Sequence, residues 1–389
     1  MSANVVESWL ASRNNALIKQ ISLRPIENKL RKGKPLSSQH GQAEVFFLVD
    51  DSSHWWILKK FRGNCKLTRQ YLTKVGKLLP GDKGFTCGSK REVLCKGSLL
   101  KKRGYHFSKD LDGWLDGTIL MPRINGLDWA GLADEIRDGN IQLDKDQRLA
   151  ICRNLTKLVE LMETIKCCHR DFSCGNVFID PQTLDVYLID FDSFYHPSLS
   201  MPKATTCGTT GYTAHLAWNN GRLNPRRTWC ENADRYALTI LNVEFLLVKP
   251  GAKATGEGGI FDQDELKNQS GSGIDSIVAQ LGSDYPRAAQ LLEATINGST
   301  FADCPSPQDW SGLFNKGSDL VVTPPNLNEL GRIPPDHFAK ILSKCRPAAP
   351  LWPAPDLDQM PLTIPSLPPA RKVQKPTAVP WWSQWLKQS

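Results

Sequence analysis

The sequence has 389 residues, of which 40% are hydrophobic and 23% are charged, and this composition is typical of a globular protein with a sizeable core. Its 48 basic and 40 acidic residues leave a formal charge of +8, which is compatible with an anionic ligand or with a solvated basic surface. No uninterrupted run of about 18 apolar residues is present, which excludes an ordinary membrane-spanning helix.

The cysteines and the N-terminus bear on the cellular compartment. The chain has 11 cysteines, an odd number, and none of them stands in a C-x-x-C pair, so neither a disulfide framework nor a zinc site is predicted. Free thiols are typical of a reducing compartment. Residues 1–15 lack the charged and then apolar order of a signal peptide. We therefore expect a cytoplasmic protein without a structural metal.

The first third of the chain is predicted to be rich in β-strands. After a polar, basic lead-in over residues 1–35, the segments 36–49 and 55–61 have strand-forming composition and are separated by a polar turn. The second segment contains Lys59 and Lys60, whose side chains point to opposite faces of a strand. Only one of these lysines can therefore face a given ligand.

Helices and further strands are predicted next. Residues 68–79 have apolar residues at helical spacing but contain no Asp or Glu. The segments 92–99 and 117–121 are predicted to be strands. The pattern Asp144-x-x-Gln147 resembles a capping box and opens a long helix with an apolar stripe.

The stretch from residue 168 to residue 195 carries the most specific pattern in the sequence. It contains His169-Arg170-Asp171, then Asn176, and then Asp190-Phe191-Asp192. Short apolar runs separated by a turn predict a β-hairpin between Asn176 and Asp190. These residues resemble the catalytic loop and the metal-binding turn of the protein kinase family, whose patterns are H-R-D-x-x-x-x-N and D-F-G.

Later segments extend this resemblance. Residues 207–214, which read CGTTGYTA, resemble the end of a protein kinase activation segment. An apolar helix predicted over residues 233–248 has Asp234 near its start, where the family has an aspartate that holds the catalytic-loop backbone. Residues 304–310 are similar to the end of bacterial kinase domains. The resemblance covers residues 36–316.

The resemblance implies an α+β, bilobal, protein-kinase-like fold with a small β-rich N-lobe and a mainly helical C-lobe. We expect the N-lobe over residues 36–121 and the C-lobe over residues 122–316, followed by a proline-rich, partly disordered tail over residues 317–389. Three tryptophans lie close together in residues 380–387, and this segment is a candidate docking site for a partner.

Catalytic roles follow from the same resemblance. Asp171 would orient the attacking hydroxyl and accept its proton, and Arg170 would position the loop. Lys59 would bind the α- and β-phosphates of ATP. Asn176 and Asp190 would hold magnesium through oxygen atoms, the donors that this ion prefers.

Further nucleotide contacts are implied in the first strand pair, which covers the phosphates in the family, and in the hinge between the lobes, which binds adenine. The residues assigned to these contacts are Gly41, Ala43, Val45, Met121, Arg123 and Ile124.

Several departures from the family pattern are present. Asp192 stands where the family has glycine, and Ser173 stands where its serine/threonine kinases have lysine. Only Gly41 remains of the glycine-rich loop. The first predicted helix lacks the glutamate that pairs with the strand lysine; Gln70 is the nearest polar substitute, and Glu92 lies beyond the helix.

The prediction is an ATP- and magnesium-dependent protein kinase, of the bacterial serine/threonine type, that acts on an unidentified protein. Two alternatives stay open: a pseudokinase or kinase-fold scaffold that binds nucleotide or a partner without turnover, and a small-molecule kinase of the same fold. Residues 208–214 favour a protein substrate, because small-molecule kinases lack this segment. Basic residues and tryptophans are not interleaved in one stretch, so no nucleic-acid partner is expected.

Overall fold

The computed structural model describes residues 2–314, with gaps at 29–30, 41–42, 63–66, 101–107, 125, 203–207, 220–221 and 256–258. The predicted proline-rich tail and its tryptophan-rich segment lie outside the described residues.

An antiparallel sheet dominates the N-terminal part of the chain. Its strands are β1 (Ala16–Ile18), β2 (Ile21–Pro25), β3 (Ser37–His40), β4 (Ala43–Asp50), β5 (Trp55–Phe61), β6 (Glu92–Val93) and β7 (Ile119–Pro122). Within the described residues, the strand order is β1-β2-β4-β5-β7-β6, with β3 also paired to β4. The helices of this part are α1 (Ser2–Ser12), α2 (Arg69–Leu78), α3 (Thr86–Ser89) and α4 (Ser108–Leu115).

The C-terminal part is mainly helical. Its helices are α5 (Trp129–Arg137), α6 (Lys145–Thr164), α7 (Asp234–Leu247), α8 (Gln263–Asn268), α9 (Ser272–Asp284), α10 (Pro286–Asn297) and α11 (Pro307–Phe314). Short strands β8 (Leu127–Asp128), β9 (Val177–Ile179) and β10 (Val186–Leu188) form one antiparallel sheet, and β11 (Trp218–Asn219) pairs with β12 (Arg222–Leu223). The predicted division into a β-rich first part and a helical second part is therefore confirmed.

The first 35 residues are more than the lead-in that the sequence predicted. Strand β2 pairs with β4, and β1 extends the sheet by one further strand. Helix α1 places Val6 and Trp9 in a buried cluster with Ile18 and Leu23 of these strands. The apolar side chains of this segment thus belong to the N-terminal core, and burying each of them contributes about 1.5–3 kcal/mol.

The predicted strand over residues 92–99 is wrong beyond its first two residues. Only Glu92–Val93 pairs with β7. Beyond it, the Asp112 carboxylate accepts hydrogen bonds from the backbone N–H groups of Gly97 and Leu99. The Asp112 side chain therefore binds backbone N–H groups that would otherwise pair with a neighbouring strand. In addition, Gly97 has a φ of 91°, which does not suit an extended strand.

Helices α6 and α7 form the centre of the C-terminal core. The predicted capping box is present at the start of α6, where Asp144 and Gln147 each accept a hydrogen bond from the other's backbone N–H. Helix α7 is buried along almost its whole length, and Phe245 packs edge to face against Trp129 of α5. This core is the rigid base on which the loops described below are fixed. Among the described residues, no helix has the length and apolar character needed to cross a membrane.

A buried glutamate of α7 joins separate parts of this base. Its Oε2 atom accepts hydrogen bonds from Trp129 Nε1 (2.8 Å) and from the Tyr212 hydroxyl (2.9 Å), and Ile260 N–H donates to Oε1 (3.3 Å). Burial raises the pKa of Glu244 from 4.5 to about 7, although these hydrogen bonds oppose the shift. Glu244 therefore connects α5, α7 and the segment around Tyr212.

Replacing Glu244 with glutamine is expected to change how stability depends on pH. The folded protein holds the Glu244 proton more tightly than the unfolded chain, so its contribution to the free energy of unfolding falls as the pH rises from 4.5 to about 7. Glutamine does not titrate, so Glu244→Gln should not show this loss. Across this pH range, the free energy of unfolding of the variant should therefore rise relative to that of the wild type by up to about 3 kcal/mol. Urea denaturation at about pH 4.5 and about pH 8 measures this difference, and an equal difference at both pH values contradicts it.

Candidate functional site

The β9–β10 hairpin places Asn176 and Asp190 at the same end. Leu188 pairs with Val177 in the antiparallel register, and the Ile189 N–H donates to the Asn176 carbonyl. In such a pair the residue before the first strand lies beside the residue after the second. The prediction of a hairpin with one candidate metal ligand at each outer end is therefore confirmed in its geometry.

The loop that precedes the hairpin is held from α7. The Asp234 carboxylate accepts hydrogen bonds from the backbone N–H groups of His169 (2.6 Å) and Arg170 (2.8 Å), as predicted for this aspartate. His169 Nε2 donates to the Ile189 carbonyl (2.7 Å), and its ring packs against Phe191. The loop is thus tied to both the helix below it and the turn beside it.

Arg170 lies inside the structure. Its buried guanidinium donates to the carbonyls of Thr228, Ser193 and Pro225 and lies over the Trp229 ring. Its backbone has a φ of 67°, the left-handed region that residues with a Cβ atom adopt at a cost. These contacts fix the loop around the next residue.

Asp171 is half-buried beside this turn. Its Oδ1 atom accepts a hydrogen bond from the Thr209 hydroxyl (2.9 Å), and its backbone carbonyl accepts one from Asn176 Nδ2 (2.8 Å). Burial and the nearby charge of Asp190 raise the pKa of Asp171, which favours a carboxylate that can accept a proton.

Lys59 of β5 reaches the same place from the N-terminal sheet. Its Nζ atom donates to Asp190 Oδ1 (2.7 Å) and to Asp192 Oδ2 (2.5 Å). Lys60 points the other way, where its Nζ atom donates to the carbonyls of Trp114 and Asp116. The predicted opposite orientation of the two lysines is confirmed, and only Lys59 joins the candidate site.

The charges in this cluster shift one another's ionisation. Burial disfavours the charged form of Lys59, but the two carboxylates outweigh it and raise the pKa of Lys59. Burial also opposes ionisation of Asp190, yet the Lys59 charge and the hydrogen bonds with Asp192 and Lys59 hold the pKa of Asp190 below its ordinary value. Burial and the Asp190 charge raise the pKa of Asp192. Asp190 is therefore the firmly ionised member of the pair.

Asp192 and Arg91 are members of this cluster that sequence reasoning did not assign to the site. The Arg91 Nη1 atom lies 4.0 Å from Asp192 Oδ1, and its Nη2 atom donates to the Leu72 carbonyl of α2 (2.6 Å). Gln70, the polar substitute that the sequence offered, is exposed, and so is Glu92. One signal in the sequence could have pointed to Asp192: it is an additional acidic residue directly after Phe191, whereas helix α2 contains no Asp or Glu to pair with the lysine.

An apolar cluster adjoins the charged cluster. Cys87, Ile124 and Tyr187 are buried together, and Met121, Phe178 and Ile189 pack against them. Cross-strand pairing puts Phe178 and Tyr187 on one face of the hairpin, with Ile189 two residues further on. The predicted hinge residues Met121 and Ile124 therefore meet the face of the hairpin that leads to Asp190.

The other predicted nucleotide contacts are placed as follows. Strand register sets Val45 opposite Lys59 and Ala43 opposite Phe61, so Ala43, Val45 and Lys59 share one face of the sheet. Arg123 is placed elsewhere, because its backbone N–H donates to the Trp55 carbonyl and its guanidinium lies 5.1 Å from the centre of the Trp55 ring. Gly41 lies outside the described residues.

The segment after the turn is anchored beside Asp171. Gly208 has a φ of 97°, and a Cβ atom there would lie 2.9 Å from Thr213 Oγ1 and 3.2 Å from the Arg170 carbonyl. Glycine is therefore required for this close approach. Thr209 then reaches Asp171, while Tyr212 is buried and donates to Glu244.

The donor set around Asn176 and Asp190 fits magnesium. Because Asn176 Nδ2 donates to the Asp171 carbonyl, its amide oxygen is the atom left for a ligand. The Asp190 side chain is 36% exposed and so remains accessible. Within the described residues, no group of three or more His, Cys, Asp or Glu suited to hold a metal is present.

Comparison with known proteins assigns no family to this arrangement. No protein-family model matches the chain, and no curated protein matches it.

Proposed function

We propose that the protein is an ATP- and magnesium-dependent protein kinase that transfers the γ-phosphate to serine or threonine hydroxyls. The proposal is carried by one observation: Lys59, Asp171, Asn176 and Asp190 converge around the outer end of the β9–β10 hairpin, although they come from separate parts of the chain. Phosphoryl transfer depends mainly on positioning and on charge stabilisation, which such a group of residues can supply.

The proposed fold is the bilobal arrangement of the kinase family, with the N-lobe over residues 36–121 and the C-lobe over residues 122–316. It is supported by the antiparallel sheet that carries Lys59 and by the helical part that carries Asp171 and Asp190. Strands β1 and β2 would extend the N-lobe beyond the predicted boundary.

Each charged residue has a distinct role in the proposed reaction. Lys59 would bind the α- and β-phosphates, and Asn176 and Asp190 would hold magnesium through oxygen atoms. When bound, magnesium supplies positive charge that offsets the charge developing on the phosphate oxygens. Asp171 would orient the attacking hydroxyl and accept its proton, and the Thr209 hydroxyl holds its carboxylate in place.

The adenine base would bind against the apolar cluster beside these charged residues. Met121, Ile124, Phe178 and Ile189 offer apolar contact surface for a flat ring. Among the described residues, no backbone carbonyl accepts a hydrogen bond from the Ile124 N–H, so this donor remains available to a base. Arg123 is not included, because its N–H is already bonded to Trp55.

A protein substrate is favoured over a small molecule by the segment that follows the metal-binding turn. Gly208 and Thr209 approach the catalytic loop, and Tyr212 fixes the segment to the buried Glu244. A segment anchored next to the attacking hydroxyl can guide an extended peptide into the site.

The scaffold alternative is favoured by a different contact, since Lys59 already pairs with the proposed metal ligand Asp190.

Phosphate transfer from labelled ATP to the protein itself or to a generic protein substrate distinguishes these functions. With magnesium, the wild type should transfer phosphate, and Asp190→Ala should show none above background, because it loses the proposed metal carboxylate. Asp185→Ala is the matched control: it removes a carboxylate from the same hairpin that contacts Lys83 and Thr183 outside the site. Nucleotide binding without transfer in the wild type would establish the scaffold function instead.

A further inference from the structure

Lys59 has two carboxylate partners, and they are not equivalent. Asp190 is the proposed magnesium ligand, and its side chain is 36% exposed. Asp192 lies deeper, with 18% of its side chain exposed, and a second cation, Arg91, lies on its other side. A carboxylate that coordinates magnesium shares its charge with the ion and is a weaker partner for an ammonium group.

Arg91 connects Asp192 to helix α2. Its side chain is only 3% exposed, and its Nη2 atom donates to the Leu72 carbonyl of that helix. Helix α2 contains no Asp or Glu, and its N-terminal Gln70 is exposed. The connection from α2 to Lys59 therefore runs through Arg91 and Asp192 rather than through an acidic side chain of the helix itself.

We propose that Asp192 is the positioning residue for Lys59, held in place by Arg91 from the side of helix α2. This inference rests on the proposed function for the role of Lys59, but the contact that it assigns can be tested without turnover. Asp192 does not touch the reacting atoms in this proposal. It acts by keeping the Lys59 ammonium directed at the phosphate site while Asp190 binds metal.

The reactivity of Lys59 toward an amine-acylating reagent tests this contact in the full-length protein. Acylation of each lysine is followed by mass spectrometry in the absence of nucleotide, for the wild type, Asp192→Asn, Asp192→Glu and Glu92→Gln. Lys60 and Lys83 serve as internal references, because their partners lie elsewhere. Glu92→Gln is the matched control, since it removes an exposed carboxylate that adjoins Arg91 in sequence.

Without metal, Asp192→Asn should raise the acylation rate of Lys59 about tenfold, because the ammonium loses one of the two carboxylate contacts that hold it and meets the reagent more often. Asp192→Glu should return the rate toward that of the wild type, and Glu92→Gln should leave it unchanged. If Lys59 reacts at the wild-type rate in Asp192→Asn, the positioning role is overturned. A parallel rise at Lys60 and Lys83 would indicate general loosening and would also overturn it.

Magnesium added to the same reactions tests the proposed function separately. In Asp192→Asn, magnesium should raise Lys59 reactivity further, because Asp190 is then drawn to the ion, whereas the wild type should change little. If Asp192→Asn shows the metal-free increase but no response to magnesium, the positioning role of Asp192 stands and the magnesium site at Asp190 is contradicted.

Discussion

Replacing Asp171 with asparagine is expected to lower kcat for phosphate transfer by about 10²–10⁴-fold, the usual contribution of a general base. Asparagine has nearly the same shape and can still accept the hydrogen bond from Thr209, so the loop should keep its conformation. The Asp171 carbonyl, which binds Asn176, is unaffected by the change. Only the ability to accept a proton is lost, and nucleotide affinity should therefore stay within about twofold of the wild type.

Steady-state transfer and nucleotide titration, made on the same preparations, check this expectation. Asp146→Asn is a suitable control, because Asp146 is an exposed aspartate in the first turn of α6. Retention of more than about a tenth of the wild-type kcat in Asp171→Asn would show that another group accepts the proton. Equal loss of nucleotide binding and transfer would point to a disturbed loop.

The parts of the site that follow from local sequence were predictable. The β9–β10 hairpin is defined by two short apolar runs and a turn, and the capping box of α6 by residues three positions apart. Asp234 could be assigned because its position at the start of α7 matches a family motif. In each case the determining residues are close in sequence, so periodicity or a motif contains the information.

The network around Lys59 could not be predicted in the same way. Asp192 appeared only as a departure from a glycine position, and nothing in the sequence around Arg91 indicates that its side chain is buried between Leu72 and Asp192. Pairing of charges from distant segments depends on how the sheet and the hairpin pack together. Local periodicity does not carry that information.

The incorrect predictions for the strand over residues 92–99 and for Arg123 in the hinge also result from contacts between segments that are distant in sequence. The strand-forming composition of residues 92–99 was overridden by Asp112, a residue distant in sequence that captures the backbone N–H groups of Gly97 and Leu99. Arg123 stands in the predicted hinge, yet its backbone N–H donates to the carbonyl of Trp55 at the start of β5. In both cases a tertiary hydrogen bond decides between conformations that the local sequence leaves open.

Replacing Asp234 with alanine is expected to lower the free energy of unfolding by about 2–6 kcal/mol. The buried carboxylate accepts hydrogen bonds from the N–H groups of His169 and Arg170, and each buried donor left without a partner costs about 1–3 kcal/mol. Asparagine retains one acceptor oxygen, so Asp234→Asn should lose about half as much. Urea denaturation of the three proteins measures the series.

Asp275→Ala provides the matched control for this series. Asp275 is also an aspartate in the first turn of a helix, α9, but it is exposed. It therefore reports the effect of removing a negative charge from a helix N-terminus, which is about 0.3–1 kcal/mol. If Asp234→Ala loses no more stability than this control, the loop does not depend on the carboxylate.

The loss in Asp234→Ala should extend to activity under conditions in which the variant remains folded. Arg170 has a positive φ, which is unfavourable for a residue with a side chain, and Asp234 bonds the N–H of that same residue. Without the carboxylate, the backbone before Asp171 can relax toward more ordinary angles and move the proposed base away from the hydroxyl that it orients. A misplacement of about 1 Å can reduce the rate by about 10²-fold. We therefore expect kcat to fall more than nucleotide affinity, because Asp171 follows the released residue directly, whereas the loop contacts the apolar cluster through the hydrogen bond from His169 to the Ile189 carbonyl. Measurement of both constants without denaturant, at a temperature well below the unfolding transition, checks this expectation.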